Sequence, residues 1–241
     1  MMEEIKHIFD FPKPVLQVYP KKWIIAFVLL VAVDLISKVW ITETLTFRLT
    51  EHQLENAIPG KVEALVRGKQ QIDILGENGR FMKLSLVFND RFVFGSGPTA
   101  PVLGLFISGF AVIFLVFYRL HNYTFGPSLA WLFVFSGAVG NLIDKMFVKS
   151  LETGNWVFSV GPQPNHVSGV VDFVECIWFG WSSTYDMLSF TLPVLGTFRP
   201  LAWLAWPSWP TFNLADSLIV VGTILLVFSM IRTPTAAPQS E

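Results

Sequence analysis

Only one cysteine, Cys176, occurs in the 241 residues, which excludes an intramolecular disulfide and leaves no thiol cluster for a metal. Histidine is scarce too. His121 and His166 stand apart from any ligand spacing, and with no His-Glu-x-x-His string a zinc hydrolase is disfavoured. Ser217 has no histidine partner in view, which argues against a serine mechanism. The Gly-x-Gly-Asp string of midplane intramembrane aspartyl proteases is missing. There is no repeat at solenoid periods and no low-complexity tract beyond the Pro-containing tail from Thr233. Basic residues form no patch, so nothing points to nucleic acid.

Charge is thin as well, at 15% of residues with a formal net of -1, while 52% of residues are hydrophobic and the mean hydropathy is +0.53. That balance is too apolar for an ordinary soluble domain and predicts an α-helical integral membrane protein. Ile24 to Thr42, Pro101 to Tyr118, Ser128 to Val148 and Thr211 to Ile231 are each long enough to cross a hydrocarbon core of about 30 Å. Four transmembrane helices place both chain ends on one face. The first tract contains Asp34 and Lys38 and lacks a small-x-small site, so it is expected to be retained rather than cleaved. Lys6, Lys13, Lys21, Lys22, Arg119 and Arg232 favour a cytoplasmic side for the segments that carry them, including the tail 232–241. Trp23, Trp40, Trp203, Trp206 and Trp209 flank the first and fourth tracts, where indole rings anchor at headgroups.

The chain reads as a single membrane domain with two external segments, 43–100 and 149–210. In the first, Ile72 to Ile74 and Lys83 to Phe88 alternate in polarity around Gly76, Glu77, Asn78 and Gly79, the pattern of a hairpin and hence of a small extramembrane β-sheet. Asn56 to Arg67 fits either a strand or an interfacial helix. The second is rich in Gly, Pro and aromatics, among them Phe179, Trp181, Phe190 and Phe198, and is expected to lie on the headgroup surface.

What remains is a set of polar residues inside apolar tracts. Asp34 and Lys38 lie late in the first, Asn141, Asp144 and Lys145 late in the third, Asn213 and Asp216 early in the fourth, and Asp172 in the connection before it. The first and third spans run in one direction, so these residues converge at one side of the membrane. With a 1.5 Å rise per residue, Asp216 is about 8 Å from Thr211 and Asp144 about 6 Å from Val148, so the cluster is shallow. Each buried ionisable group costs about 2.5 kcal/mol or more on insertion scales, and such residues mark function. Structural readings compete: Asp216 in the first turn of a helix, Asn141 and Asn213 as interhelical partners, and Asp34 with Lys38 as an intrahelical pair. A small transporter or ion-coupling subunit is the alternative function, but transport sites favour midplane and repeats. Two neighbouring carboxylates suit peptide hydrolysis. One accepts a proton from the attacking water, the other polarises the carbonyl, the pair titrates as a unit, and no metal or cofactor is required.

Val170-Val171-Asp172-Phe173, Phe212-Asn213-Leu214-Ala215-Asp216-Ser217 and Gly137-Ala138-Val139-Gly140-Asn141-Leu142-Ile143-Asp144 together resemble the signature blocks of lipoprotein signal peptidase, or signal peptidase II. Asp34 with Lys38, and Asn89 to Gly95, resemble two further blocks in the same order. The resemblance implies an aspartyl endopeptidase of the bacterial inner membrane, working near its outer face. Its substrates would be prolipoproteins, cut just before the diacylglyceryl cysteine. It implies Asp172 and Asp216 as the catalytic pair, with Asn89, Asn141, Asp144, Lys145, Asn213, Asp34 and Lys38 supporting the site or touching substrate. An external sheet and a mobile segment over the site are also implied. Two departures stand out: Lys145 where the family commonly has Arg, and Arg91 where it commonly has Gly. Lysine keeps the charge but lacks the planar fork that grips a carboxylate.

Overall fold

The computed structural model describes residues 13–45, 71–79, 81–90, 101–150, 153–176, 190–192, 196–198 and 210–232. Arg91, the 56–67 stretch, Phe179, Trp181, the tryptophans at 203, 206 and 209, and the tail beyond Arg232 lie outside them. Two compact units divide the chain. One contains 1–37, 102–147 and 214–241, the other 38–101 and 148–213.

The first unit is helical. A short α1 (Val15–Val18) leads into α2 (Lys21–Leu45), whose last residues belong to the second unit. Then come α3 (Pro101–His121), α4 (Ser128–Lys145) and α5 (Leu214–Arg232). Three of them, α2, α3 and α5, are long and apolar enough to cross a membrane. Ile25, Ile36, Phe110 and Ile231 point outward, each more than 60% exposed, and hydrocarbon is the surrounding that satisfies such side chains. The fourth helix, α4, carries Asn141, Asp144 and Lys145 in its last turns and buries Trp131, Val134, Phe135 and Ser136. Its apolar run suggests continuation to Val148, yet it stops at Lys145. The amide of Met146 closes the last turn on the Ile143 carbonyl, and Phe147 opens a strand.

Small residues set the spacing of α4 and α5. A Cβ on Gly137 would collide with the Ala215 carbonyl oxygen, and one on Gly222 would come within 2.7 Å of the Ala130 carbonyl oxygen. Backbones that close leave room for packing and for short interhelical hydrogen bonds.

The second unit is built on sheets. The hairpin exists as β1 (Gln71–Leu75) and β2 (Met82–Asn89), antiparallel, with Asn78 at φ 54 in the turn. It gains a third strand from far along the chain: β6 (Val170–Cys176) pairs antiparallel with β2, with Val87 opposite Asp172 and Asn89 opposite Val170. Asp172 therefore sits in a strand rather than a loop. The segment expected on the headgroup surface also supplies β3 (Phe147–Ser150), β4 (Trp156–Phe158) and β5 (His166–Val167), joined in the order β4-β3-β5. A last hairpin pairs β7 (Phe190–Leu192) with β8 (Gly196–Phe198).

Alternation explains the core of this unit. Leu86 and Phe88 on β2 and Val171 and Phe173 on β6 share one face and pack with Ile41 and Leu45 from the end of α2. Asp172 and Asn89, each one residue out of phase, fall on the opposite face of the sheet.

Candidate active site

In the sheet unit, Asp172 is held by amides on both oxygens. Asn213 Nδ2 donates to Oδ1 at 2.8 Å, and Asn89 Nδ2 donates to Oδ2 at 3.0 Å. Asn89 reaches Asp172 as a diagonal cross-strand neighbour on one face. Asn213 reaches it because the chain before α5 runs along β6: Phe212 and Val174 exchange backbone bonds at 3.1 and 2.8 Å. Its amide also donates to the Val171 carbonyl at 3.3 Å. Asp172 and Asn213 are almost wholly buried, at 2% and 0% exposure, so this geometry belongs to the interior of the unit. Gly169 makes the approach of β6 to Asn89 possible. Its φ of +117 suits glycine, and a Cβ there would lie 2.6 Å from the Asn89 carbonyl carbon.

In the helical unit, Asn141 Nδ2 donates to Asp216 Oδ1 at 2.7 Å, a bond allowed by the close packing of α4 on α5. Asp216 is partly exposed and sits in the first turn of α5, where the positive end of the helix dipole favours an anion. Asp34 is fully buried and accepts the Ala215 amide at 2.9 Å, satisfying one of the open N–H groups at the start of α5. Gly140 makes room for it, since a Cβ would meet Asp34 Oδ2 at 2.5 Å. Asp34 thus supports the turn of helix that carries Asp216.

Lys145 donates to Ser108 Oγ on α3 at 2.8 Å, Asp144 is buried in the last turn of α4, and Lys38 is buried near Thr42, whose hydroxyl donates to the Lys38 carbonyl at 2.6 Å. Ser108 was not singled out by the sequence reading. Its signal was there, a small polar residue four after Gly104 in an otherwise apolar helix. Nor was the ion pair between Lys149 Nζ and Glu43 Oε1 at 3.0 Å, which links β3 to the end of α2. Cys176 offers no rival nucleophile: burial pushes its thiol up, and Glu175 adds to the effect.

The family described as Signal peptidase (SPase) II, peptidase A8, matches residues 26–232. Two curated relatives named lipoprotein signal peptidase, from Leptospira biflexa serovar Patoc strain Patoc 1 / Ames and strain Patoc 1 / ATCC 23582 / Paris, are each 37% identical over 163 residues, 67% of this chain and 74% of theirs. In fold, the chain resembles a bacterial membrane enzyme solved by the in meso method, with a TM-score of 0.53 at 19% identity over 92% of this chain and 95% of that one. The chain therefore belongs to the signal peptidase II family, and it is a multi-pass membrane protein with the aspartic peptidase activity of a lipoprotein signal peptidase.

Proposed function

We propose that Asp172 and Asp216 form the catalytic dyad, and that the substrates are prolipoproteins carrying a diacylglyceryl group, cleaved just before the modified cysteine. One carboxylate takes a proton from the attacking water while the other, protonated, hydrogen-bonds the scissile carbonyl oxygen. The proton then passes to the departing amine of the cysteine. The pair shares its protons, and neither is assigned a fixed state. Asn89, Asn141, Asn213 and Asp34 position the dyad, while Asp144, Lys145 and Lys38 support the same end of the helices.

The observation that carries this reading is the amide clamp on each acid: Asn213 and Asn89 on Asp172, and Asn141 on Asp216. Asn213 is also three residues from Asp216, and three residues of chain span at most about 11 Å. Covalent connection alone limits how far the two acids can separate. The enzyme is proposed to sit in the bacterial inner membrane with this end toward the outer face. Lys13, Lys21, Lys22, Arg119 and Arg232, at the opposite ends of the spans, support that orientation.

The test is cleavage of a lipid-modified precursor, followed by gel shift, with the purified protein and its Asp172→Asn and Asp216→Asn variants. Each variant is expected to lose about 10²- to 10⁴-fold in rate, the contribution of acid–base catalysis, while keeping its thermal stability. Wild-type turnover by either variant removes that residue from the dyad.

A further inference from the structure

Toward the end of the helical unit opposite Asp34, Asn141 and Asp216 lies a cavity of about 370 Å³, which reaches along α4 as far as Val139. Trp23 and Phe27 of α2, Val112 and Val116 of α3, and Trp131 and Phe135 of α4 line it, with Arg119 in its wall. An apolar cavity of about 150 Å³ already accepts a benzene, so this one has room for a stretch of hydrocarbon chain. Its polar wall is fully engaged. The Arg119 guanidinium donates to the Phe125 carbonyl at 2.9 Å and lies 5.6 Å from the Trp131 ring centre, while the Tyr19 hydroxyl donates to the Val116 carbonyl at 3.4 Å. Burial pushes the Tyr19 phenol up to about 12 against the opposing charge of Arg119, so it stays neutral in any ordinary buffer.

Charge is segregated around this cavity. Among the described residues of the helical unit the only acids are Asp34, Asp144 and Asp216, all at the other end. The cavity end carries Lys13, Lys21, Lys22, Arg119 and Arg232. Lys22 Nζ lies 6.0 Å from the ring centre of Trp23, which lines the cavity, and Lys13 Nζ lies 4.5 Å from that of Tyr123. A greasy recess beside a rim whose charged side chains, among the described residues, are all cationic matches one kind of occupant.

We propose that this cavity binds one acyl chain of an anionic phospholipid, whose phosphate sits against the Lys13 and Lys22 rim. The site is separate from the peptidase chemistry, and it stands whether or not the dyad assignment does. It would give the enzyme a fixed annular lipid that wedges the start of α2, the end of α3 and the start of α4.

The experiment is native mass spectrometry of the full chain in detergent, with equal amounts of phosphatidylglycerol and phosphatidylcholine added. Wild type is expected to retain one lipid, phosphatidylglycerol over phosphatidylcholine by about fivefold or more, since each cation near a headgroup contributes about that factor. Lys22→Gln is expected to reduce this preference severalfold without abolishing retention. Val112→Phe, which fills the recess, is expected to abolish retention. Retention of no lipid by wild type, equal retention of both lipids, or unchanged retention by a folded Val112→Phe variant each overturns the proposal. If Val112→Phe fails to fold, the wild-type preference and the Lys22→Gln result decide alone.

Discussion

Asp172 and Asp216 each take their geometry from an amide that lies far away in sequence. Asn89 is 83 residues from Asp172 and Asn141 is 75 from Asp216, so these contacts exist only once the chain has folded. Hydrogen bonds to a charged partner are worth about 1.5–3 kcal/mol, which corresponds to about 10- to 100-fold in a rate if the bond matters in the transition state. Asn141→Ala is therefore expected to lower kcat by that factor with little change in KM. Combining it with Asp216→Asn should cost little more than Asp216→Asn alone, because the two act as one unit. Steady-state kinetics of the single and double variants check this, and additive losses would separate Asn141 from the acid. Asn, rather than a charged residue, is suited to this place, since it donates to a carboxylate without adding charge inside the helices.

At the scale of elements, two packing choices aim the acids. The glycines of α4 let α5 approach until Asn141 meets Asp216, and Asp34 ties the first turn of α5 in place. A leucine at Gly137 would press on the Ala215 carbonyl. Overpacking of this kind costs about 1–3 kcal/mol, so Gly137→Leu should lower the apparent Tm in detergent and reduce peptidase activity. Gly109 is the control, because nothing lies within 4 Å of a Cβ built there, and Gly109→Leu should change neither. Equal behaviour of the two variants would refute the packing argument. In the sheet unit, β6 does the aiming. Its alternation buries Val171 and Phe173 in the core and turns Asp172 to the other face. A slip of one residue between β2 and β6 would put the acid in the hydrophobic core and Val171 on the polar face among the amides.

At the scale of the molecule, the enzyme is a membrane protein, and the substrate proposed for it is anchored in the same membrane. A diacylglyceryl group contributes about 0.8 kcal/mol per buried methylene toward capture at the surface, so an unlipidated precursor should show kcat/KM at least about 100-fold lower, mostly through KM. Matched cleavage assays on the two precursor forms measure it, and equal turnover would contradict the substrate assignment. The spread of charge also acts on this scale. Among the described residues of the helical unit, Lys145 apart, cations gather at one end and acids at the other, which supports the proposed orientation and leaves the cationic end suited to an anionic lipid.

The sequence by itself determined the membrane class, the long apolar tracts, the β1–β2 hairpin and the kinds of residue a peptidase of this family uses. Those are local properties, carried by hydropathy over about twenty residues or alternation over about eight. Only the tertiary structure decided which amide serves which acid. It also placed Asp172 in a strand paired to β2, ended α4 at Lys145, gave Asp34 the Ala215 amide, and turned Lys145 to Ser108. The physical reason is that a hydrogen-bond partner is selected by three-dimensional proximity, which depends on strand register and helix spacing across the whole chain. Neither leaves a periodic trace in the residues that will meet.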